Sequence, residues 1–474
     1  MPSLPDARLL IGGRWCEGAS HRQALDKFRL EPCTTIHLPS REQVREAVAA
    51  ADAAYRASRL TPHERGAILD RAATLLESRA DDLVRALQVE VGFPAGDGAG
   101  ELKRAVQTFR LSAEEARNFC GEMVPIEGAP NQSGRLGFTL RVPLGVVAAI
   151  TPFNAPLNTV AHKVAPALAA GNAVVLKPSS YTPTAAVVMA ECLLAAGLPA
   201  GLMTVLHGGA DTAQALLDEP RVRFFAFTGS TEVGAQIQRK AGLRRTQMEL
   251  GSIAYTIVAD DADLDRALPR IVNAAYRKAG QVCTSIQMLL VQRGVYDTVR
   301  DRLAAMVRAL PCGDPLDAAT VVGPVISEGE ARRIEAWIDR AVAAGATRLA
   351  GGPRVGAVVP ATLLTDVDGG MAVGCQEVFG PVMSLVPYDT LDEAIDRVNA
   401  TPFGLATGFF TNRIGDALAA ARRLQVGGVH INETSSSRVD VMPYGGSKDS
   451  GFGREGPHHA VREMSEERMV TLLA

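Results

Sequence analysis

Val146-Val147-Ala148-Ala149-Ile150-Thr151-Pro152-Phe153-Asn154-Ala155-Pro156 is the stretch on which the fold turns. It begins apolar and without alternation, the pattern of a strand covered on both faces, and then stops on a polar turn held between Pro152 and Pro156. The same unit recurs downstream. A helical pattern over 159–170 closes at Gly171 and residues 173–176 read as the next strand. A helix over 183–196 stops at Gly197, a third strand covers 203–206, and a short helix at 212–217 leads to a strand at 223–227. Strands and helices alternating at this spacing predict an α/β fold, an open parallel sheet with helices on both faces. Ligands of such sheets sit at the carboxyl ends of the strands.

Upstream, Ile68, Ala72, Leu75, Leu76, Leu83, Val84 and Leu87 recur at three-to-four spacing, predicting one amphipathic helix over 63–89 opened by Pro62. A second helix is expected over 101–119. Residues 122–142 alternate at Leu136, Phe138, Leu140 and Val142 between Gly and Pro, as an extended hairpin does. Beyond residue 253, helical stretches at 264–278 and 296–309 mix with apolar runs at 288–291, 382–387 and 429–431, predicting a second α/β domain. Residues 461–474 are too few and too polar to fold alone, and are expected to pair with the hairpin of a neighbouring subunit. The expected division is 1–120 with 144–252, then 253–440, with 121–143 and 441–474 as an arm and tail.

Composition narrows the function. Lys and Arg number 49 against 52 Asp and Glu, a net charge of -3, so no positive field is available for nucleic acid. The first residues lack the basic and long apolar regions of a secretory signal, and the apolar runs are too short for a bilayer, which predicts a cytoplasmic protein without membrane contact. The seven cysteines are odd in number and never spaced CxxC, which argues against zinc and a disulfide framework. Each reads as a small buried hydrophobe. Cys283 needs separate treatment.

Four strand ends carry unusual polar residues. Asn154, fixed between prolines, suits an amide aimed at developing negative charge, although an Asx turn explains it equally. Lys177, in Lys177-Pro178-Ser179-Ser180, can bond sugar hydroxyls or phosphate, or simply be solvated. Phe227-Thr228-Gly229-Ser230-Thr231-Glu232-Val233-Gly234 turns a strand into a helix with small residues, as a pyrophosphate cradle requires. Glu249-Leu250-Gly251-Ser252 offers a carboxylate beside glycine, and Gly280-Gln281-Val282-Cys283-Thr284 offers an approachable cysteine. A nucleophilic cysteine needs a lowered pKa or a nearby base.

In this order, together with Glu377–Val382 (EVFGPV) and 442–456 (MPYGGSKDSGFGREG), these motifs resemble the aldehyde dehydrogenase superfamily over nearly the whole chain. Arg438-Val439-Asp440 and the motif after it look like the branch of lactaldehyde, non-phosphorylating glyceraldehyde-phosphate and phosphonoacetaldehyde dehydrogenases. The resemblance implies a Rossmann-like cofactor domain, a second α/β catalytic domain and a β-hairpin oligomerisation arm, in a homodimer or homotetramer. It implies Cys283 as the nucleophile that forms a thiohemiacetal and then a thioester, Asn154 and the Cys283 backbone N–H as the oxyanion site, and Glu249 as the base that activates water. NAD or NADP would lie against Thr151, Pro152, Phe153, Lys177, Ser179, Ser180, Gly229, Ser230, Gly251, Glu377 and Phe379, and no metal is needed.

Two departures matter. Ser252 replaces a common second glycine. Ser180 stands where NAD-preferring members often carry a glutamate that repels a 2′-phosphate, so NADP should be tolerated and preferred. Arg104 and Arg438 match positions where anion-using relatives place cationic substrate-binding groups, and His162 follows the Asn154 loop by two turns of helix, which implies a short aldehyde bearing a carboxylate, phosphate or phosphonate. Val282, in place of an arginine, weakens the phosphate version. A CoA-acylating enzyme is the rival within the family, disfavoured by Glu249. A non-catalytic structural homologue is disfavoured by the presence of Cys283, Asn154 and Glu249 together.

Overall fold

The computed structural model describes residues 4–473, which form two large sheets, a three-stranded arm and a small hairpin near the N-terminus. Val146–Ile150 is a strand buried at every residue. It pairs in parallel with Val222–Thr228 on one side and Ala173–Lys177 on the other. Arg245–Glu249 and Met203–Val205 extend the parallel sheet outward from these. Connectivity therefore reverses between Val146–Ile150 and Val222–Thr228, where the loops leaving neighbouring strand ends part and open a crevice. Antiparallel edge strands complete the eight-stranded sheet: Leu9–Ile11 with Arg14–Cys16 at one end, and Gly451–Phe452 at the other.

The second sheet has seven strands in the order Thr347–Ala350, Thr362–Thr365, Val382–Tyr388, Ile286–Gln292, Ala254–Val258, Ala406–Phe410, Gly428–Ile431. Only the first pair is antiparallel. Each sheet has its own apolar cluster, and the chain passes from the first sheet to the second through the loop between Glu249 and Ala254.

Two helices differ from expectation. Residues 63–89 form Pro62–Ser78 and Ala80–Glu90, broken at Arg79 (φ -101°, ψ 24°). Asp81 and Asp82 fall in the first turn of the second piece, where negative charge favours a helix start. The next helix begins at Ala95, earlier than expected, and runs to Arg117 through three glycines. Packing against Pro62–Ser78 and Ala80–Glu90 outweighs the poor helix preference of those glycines.

The tail also differs. Ser465–Leu473 pairs antiparallel with Arg135–Pro143 of its own chain, in unbroken register from Ser465 opposite Pro143 to Leu473 opposite Arg135. The preceding helix, Pro457–Glu463, packs on Asn158–Ala169 and delivers the tail next to its own hairpin, so the chain closes locally. Only this last strand of the expected tail joins the arm; Gly451–Phe452 belongs to the first sheet. Residues 1–3 and 474, the extreme ends of the expected first domain and tail, lie outside the described residues.

Candidate active site

Cys283 follows a turn in which Lys278 (φ 54°), Ala279 (φ 53°) and Gly280 (φ 68°) are all left-handed. Two non-glycine residues in that region cost on the order of 1–3 kcal/mol each, so the surroundings must hold them. Lys278 does so. Its Nζ donates to Glu101 Oε2 at 2.6 Å and to the Asn154 carbonyl at 3.3 Å, while Asp97 accepts its backbone N–H at 2.9 Å. Burial opposes charge on Glu101, but Lys278 wins and holds that carboxyl below its usual range. One ammonium thus ties the loop of Asn154 to the loop of Cys283. Gly280 is required by space as well as by φ: a Cβ there would fall 2.1 Å from the Gly380 carbonyl oxygen.

The thiol is not activated by a lowered pKa. Burial, with Glu249 adding, pushes Cys283 up to about 11, so a base must take its proton. Tyr444 Oη lies 3.1 Å from Sγ, and Arg438, Glu249 and Glu377 all exert their charge on the sulfur. Ser435 and Ser436 brace the loop from the other side: Ser435 donates to the Thr284 carbonyl at 2.9 Å, and the Thr284 and Ser436 hydroxyls are 3.1 Å apart.

Glu249 ends the strand Arg245–Glu249 and is 3% exposed. Neither of its carboxylate oxygens accepts a hydrogen bond among the described residues. Burial, then the neighbouring charge of Glu455, raises its pKa well above the usual carboxylate range. Glu455 behaves oppositely. Burial opposes its charge, but Lys163 (2.9 Å) and Arg438 (2.7 Å) hold it below that range. The pair is therefore split into one fixed anion and one carboxyl that can gain or lose a proton, as acid–base work requires. Gly445 lets Glu249 lie against the backbone, since a Cβ there would fall 3.0 Å from Oε1.

The cofactor candidates gather at the crevice of the first sheet. Ser230 caps the helix Thr231–Ala241, and Thr231 Oγ1 accepts the Gly251 N–H at 3.2 Å, joining the two small-residue loops. Glu377 accepts the Ser252 N–H at 2.9 Å, and burial pushes its pKa up to about 7. Gly251 lies against it, where a Cβ would stand 3.0 Å from Glu377 Oε2. Phe379 (φ 51°) packs edge-on against Phe153 at 5.7 Å. Thr151, which leads that loop, is buried and donates its N–H to the Lys177 carbonyl at 3.1 Å.

At the neighbouring strand end Lys177 is 8% exposed and donates to the carbonyls of Gly208 (2.9 Å) and Pro178 (3.4 Å). Burial, helped by Arg22, lowers its pKa to about 8. Ser180 donates to the same Gly208 carbonyl at 2.8 Å, while Ser179 accepts from the Tyr181 N–H at 3.2 Å. Arg22, from the hairpin strand Ser20–Leu25, donates to the Ser180 carbonyl at 2.8 Å. Among the described residues neither Lys177 nor Arg22 forms an ion pair, so two cations converge with no carboxylate between them. These residues fit a nicotinamide dinucleotide: a cradle of small residues, a carboxylate and phenyl rings near the thiol, and cations at the far end.

The three candidate substrate residues are held by buried carboxylates. Arg104 makes a two-point contact with Asp440, at 2.7 and 3.4 Å. His162 is fully buried, and its Nε2 lies 2.9 Å from the same carboxylate. Burial, and then Arg438, lower the His162 pKa, so the ring is neutral and fixes Asp440 rather than offering charge. Arg438 is committed to Glu455 and stacks on the Tyr444 ring at 3.8 Å. An unanticipated cation lies near the site. Arg277 donates to the Ser436 hydroxyl at 2.7 Å and forms no ion pair among the described residues; burial lowers its pKa, and the charges of Asp97, Arg104 and Glu101, and last that of Cys283, act on it. Its position ahead of the cysteine motif was the only sequence signal available.

A doubly wound sheet with a dinucleotide-sized cradle of small residues at its switch point is the arrangement of a nicotinamide-dependent oxidoreductase. The particular kind follows from comparison with known proteins: the aldehyde dehydrogenase family matches residues 15–470, and the chain belongs to that family as an NAD(P)-dependent aldehyde dehydrogenase. It is 45% identical to the 3-sulfolactaldehyde dehydrogenase of Priestia aryabhattai over 465 residues, covering 98% of this chain and 97% of that one. The structure of aldehyde dehydrogenase 21 from Physcomitrella patens, in complex with its reaction product succinate, superposes with a TM-score of 0.97 at 34% identity, covering 100% and 99% of the two chains. The glyceraldehyde-3-phosphate dehydrogenase of Methanocaldococcus jannaschii, complexed with NADP, gives a TM-score of 0.92 at 34% identity, covering 96% and 100%. Among the described residues, no helix is long and apolar enough to cross a membrane.

Proposed function

We propose that the enzyme oxidises a short anionic aldehyde to its carboxylic acid, and that Arg277 meets the anion. The observation that carries this is Arg277 itself: a largely desolvated guanidinium whose hydrogen-bond partner is the neutral Ser436 hydroxyl, with Asp97 and Glu101 acting on it through space and in no direct ion pair with it. A desolvated cation held by no direct ion pair favours an anionic ligand. Arg104 and Arg438 are each neutralised by a carboxylate, and neutral His162 helps hold Asp440 and Arg104 in place. The relatives point the same way, one acting on a sulfonated aldehyde and one crystallised with succinate.

The chemistry then runs on the groups in place. Glu249 takes the proton from Cys283, and Sγ attacks the aldehyde carbon. The resulting oxyanion is met by the Asn154 amide and the Cys283 N–H. Bound NAD(P), held by Lys177, Ser230 and Glu377, supplies the hydride acceptor. Glu249 then activates the water that hydrolyses the thioester, giving free acid without CoA. Ser180, Lys177 and Arg22 together favour NADP. The seven unpaired cysteines fit a reducing, cytoplasmic setting. The exposed Met123, Leu136, Leu140, Met469 and Leu472 of the arm fit a homodimer or homotetramer that covers them.

The test is a kinetic comparison of 3-sulfolactaldehyde and succinate semialdehyde with a neutral aldehyde of matched length, for the wild type and Arg277→Gln, with no CoA added. The variant should raise KM for the anionic aldehydes about tenfold or more while leaving the neutral one nearly unchanged. Equal losses on both classes would remove Arg277 from substrate recognition.

A further inference from the structure

The hydrogen-bond partner of the Cys283 sulfur is Tyr444, with Oη and Sγ 3.1 Å apart. Tyr444 lies in the Pro443-Tyr444-Gly445-Gly446 stretch, at the isolated bridge it forms with Glu455. The face of its ring carries the Arg438 guanidinium at 3.8 Å, and Arg438 in turn is fixed by Glu455 at 2.7 Å. The chain from a buried anion through a cation and an aromatic ring therefore ends on a hydroxyl at the nucleophile.

We infer that Tyr444 is a catalytic residue: its hydroxyl donates a hydrogen bond to the Cys283 thiolate, and Arg438 is the positioning residue that clamps its ring. The inference rests on the reading of Cys283 as nucleophile. A thiol in this setting is costly to ionise, because burial and the nearby carboxyl both oppose negative charge on sulfur. Tyr444 keeps its own proton, since burial and the sulfur beside it raise its ionisation well above the usual phenol range. With its proton retained, the phenol can only donate once Sγ becomes negative. The bond is then charge-assisted and stronger than the one to the neutral thiol.

The step balances without a new reagent. The S–H bond of Cys283 breaks, its proton goes to the Glu249 carboxylate, and the electron pair stays on sulfur facing the Tyr444 O–H. When Sγ bonds the aldehyde carbon, sulfur loses its charge and the hydrogen bond weakens, so Tyr444 does not trap the adduct. When the acid is released, the C–S bond breaks and returns an electron pair to sulfur, and the same hydroxyl receives it. Tyr444 thus serves both the attack and the expulsion of the thiolate.

Tyr444→Phe keeps the ring under Arg438 and removes only the hydroxyl. The measurement is the pH dependence of alkylation by iodoacetamide in cofactor-free enzyme, with the modified peptide located by mass spectrometry because the chain has seven cysteines. The inflection for Cys283 should move up by about one pH unit or more, the loss expected when a bond to a charged group is removed. NADP affinity should stay unchanged. Arg438→Lys, which loses the planar stack, should move the inflection in the same direction by less, and serves if the phenylalanine variant fails to fold. An unchanged inflection in a folded variant overturns the role of Tyr444. The underlying reading fails separately: Cys283→Ala that still turns over aldehyde would remove the nucleophile, whereas an inactive Cys283→Ala beside an unshifted Tyr444→Phe would remove Tyr444 alone.

Discussion

At the scale of single residues, Gly280 and Glu249 make the sharpest demands. Gly280→Ala places a methyl 2.1 Å from the Gly380 carbonyl at φ 68°, so the nucleophile turn must rebuild. We expect a loss of about 1–3 kcal/mol in urea unfolding and at least tenfold in kcat, since the strain falls on the loop of Cys283. The pH dependence follows from the carboxyl pair. Glu249 has a raised pKa and must be ionised before it can take the Cys283 proton. kcat/KM should therefore rise with pH above the usual carboxylate range in stopped-flow or steady-state assays; a profile that is flat there would show that Glu249 is not the group that titrates. Cys283, Asn154 and Glu249 could be singled out as candidates from the sequence because their neighbours in the chain mark them. Tyr444 and Arg277 could not, since each gains meaning only from a partner far away in sequence, Cys283 for the first and Ser436 for the second.

At the scale of elements, the parallel strands from Val146–Ile150 to Val222–Thr228 could be read because both faces are apolar. Glu249 could be set at a strand end, but no apolar run draws the strand itself: Arg-Thr-Gln-Met-Glu becomes one by pairing with Val222–Thr228. The hairpin Ser20–Leu25 with Pro32–Leu38 was missed for the same reason, and with it Arg22. That hairpin carries a specificity prediction. Arg22→Ala should lower kcat/KM for NADP about tenfold and leave NAD within about twofold, because a 2′-phosphate is the group that two unpaired cations would recognise. Equal effects on both cofactors would refute it. Lys177 adds a protonic signature. Its pKa is about 8 in the free enzyme, and a bound phosphate would raise it, so NADP binding near that pH should take up a proton. Calorimetry in buffers of different ionisation enthalpy reads this directly.

At the scale of the whole molecule, the two α/β halves and the arm were expected, whereas the route of the tail was not. Sequence pattern identified a terminal segment in need of a partner, but only the docking of Pro457–Glu463 on Asn158–Ala169 shows that the partner lies in the same chain. The arm prediction belongs here. Deleting Ser465–Leu473 uncovers the edge of Arg135–Pro143 along its full length. Light scattering should then show a changed mass per particle or aggregation. A deletion variant with unchanged mass per particle and full activity would mean that the arm is dispensable.

The position of Glu455 has a consequence for biosynthesis. Glu455, which after burial does most to raise the pKa of Glu249, stands ten residues before the terminal strand begins at Ser465, so nearly the entire polypeptide must be synthesised before that charge is in place. A chain cut before Glu455 would keep Cys283 and Glu249 but lack both this anion and the partner that fixes Arg438 over Tyr444.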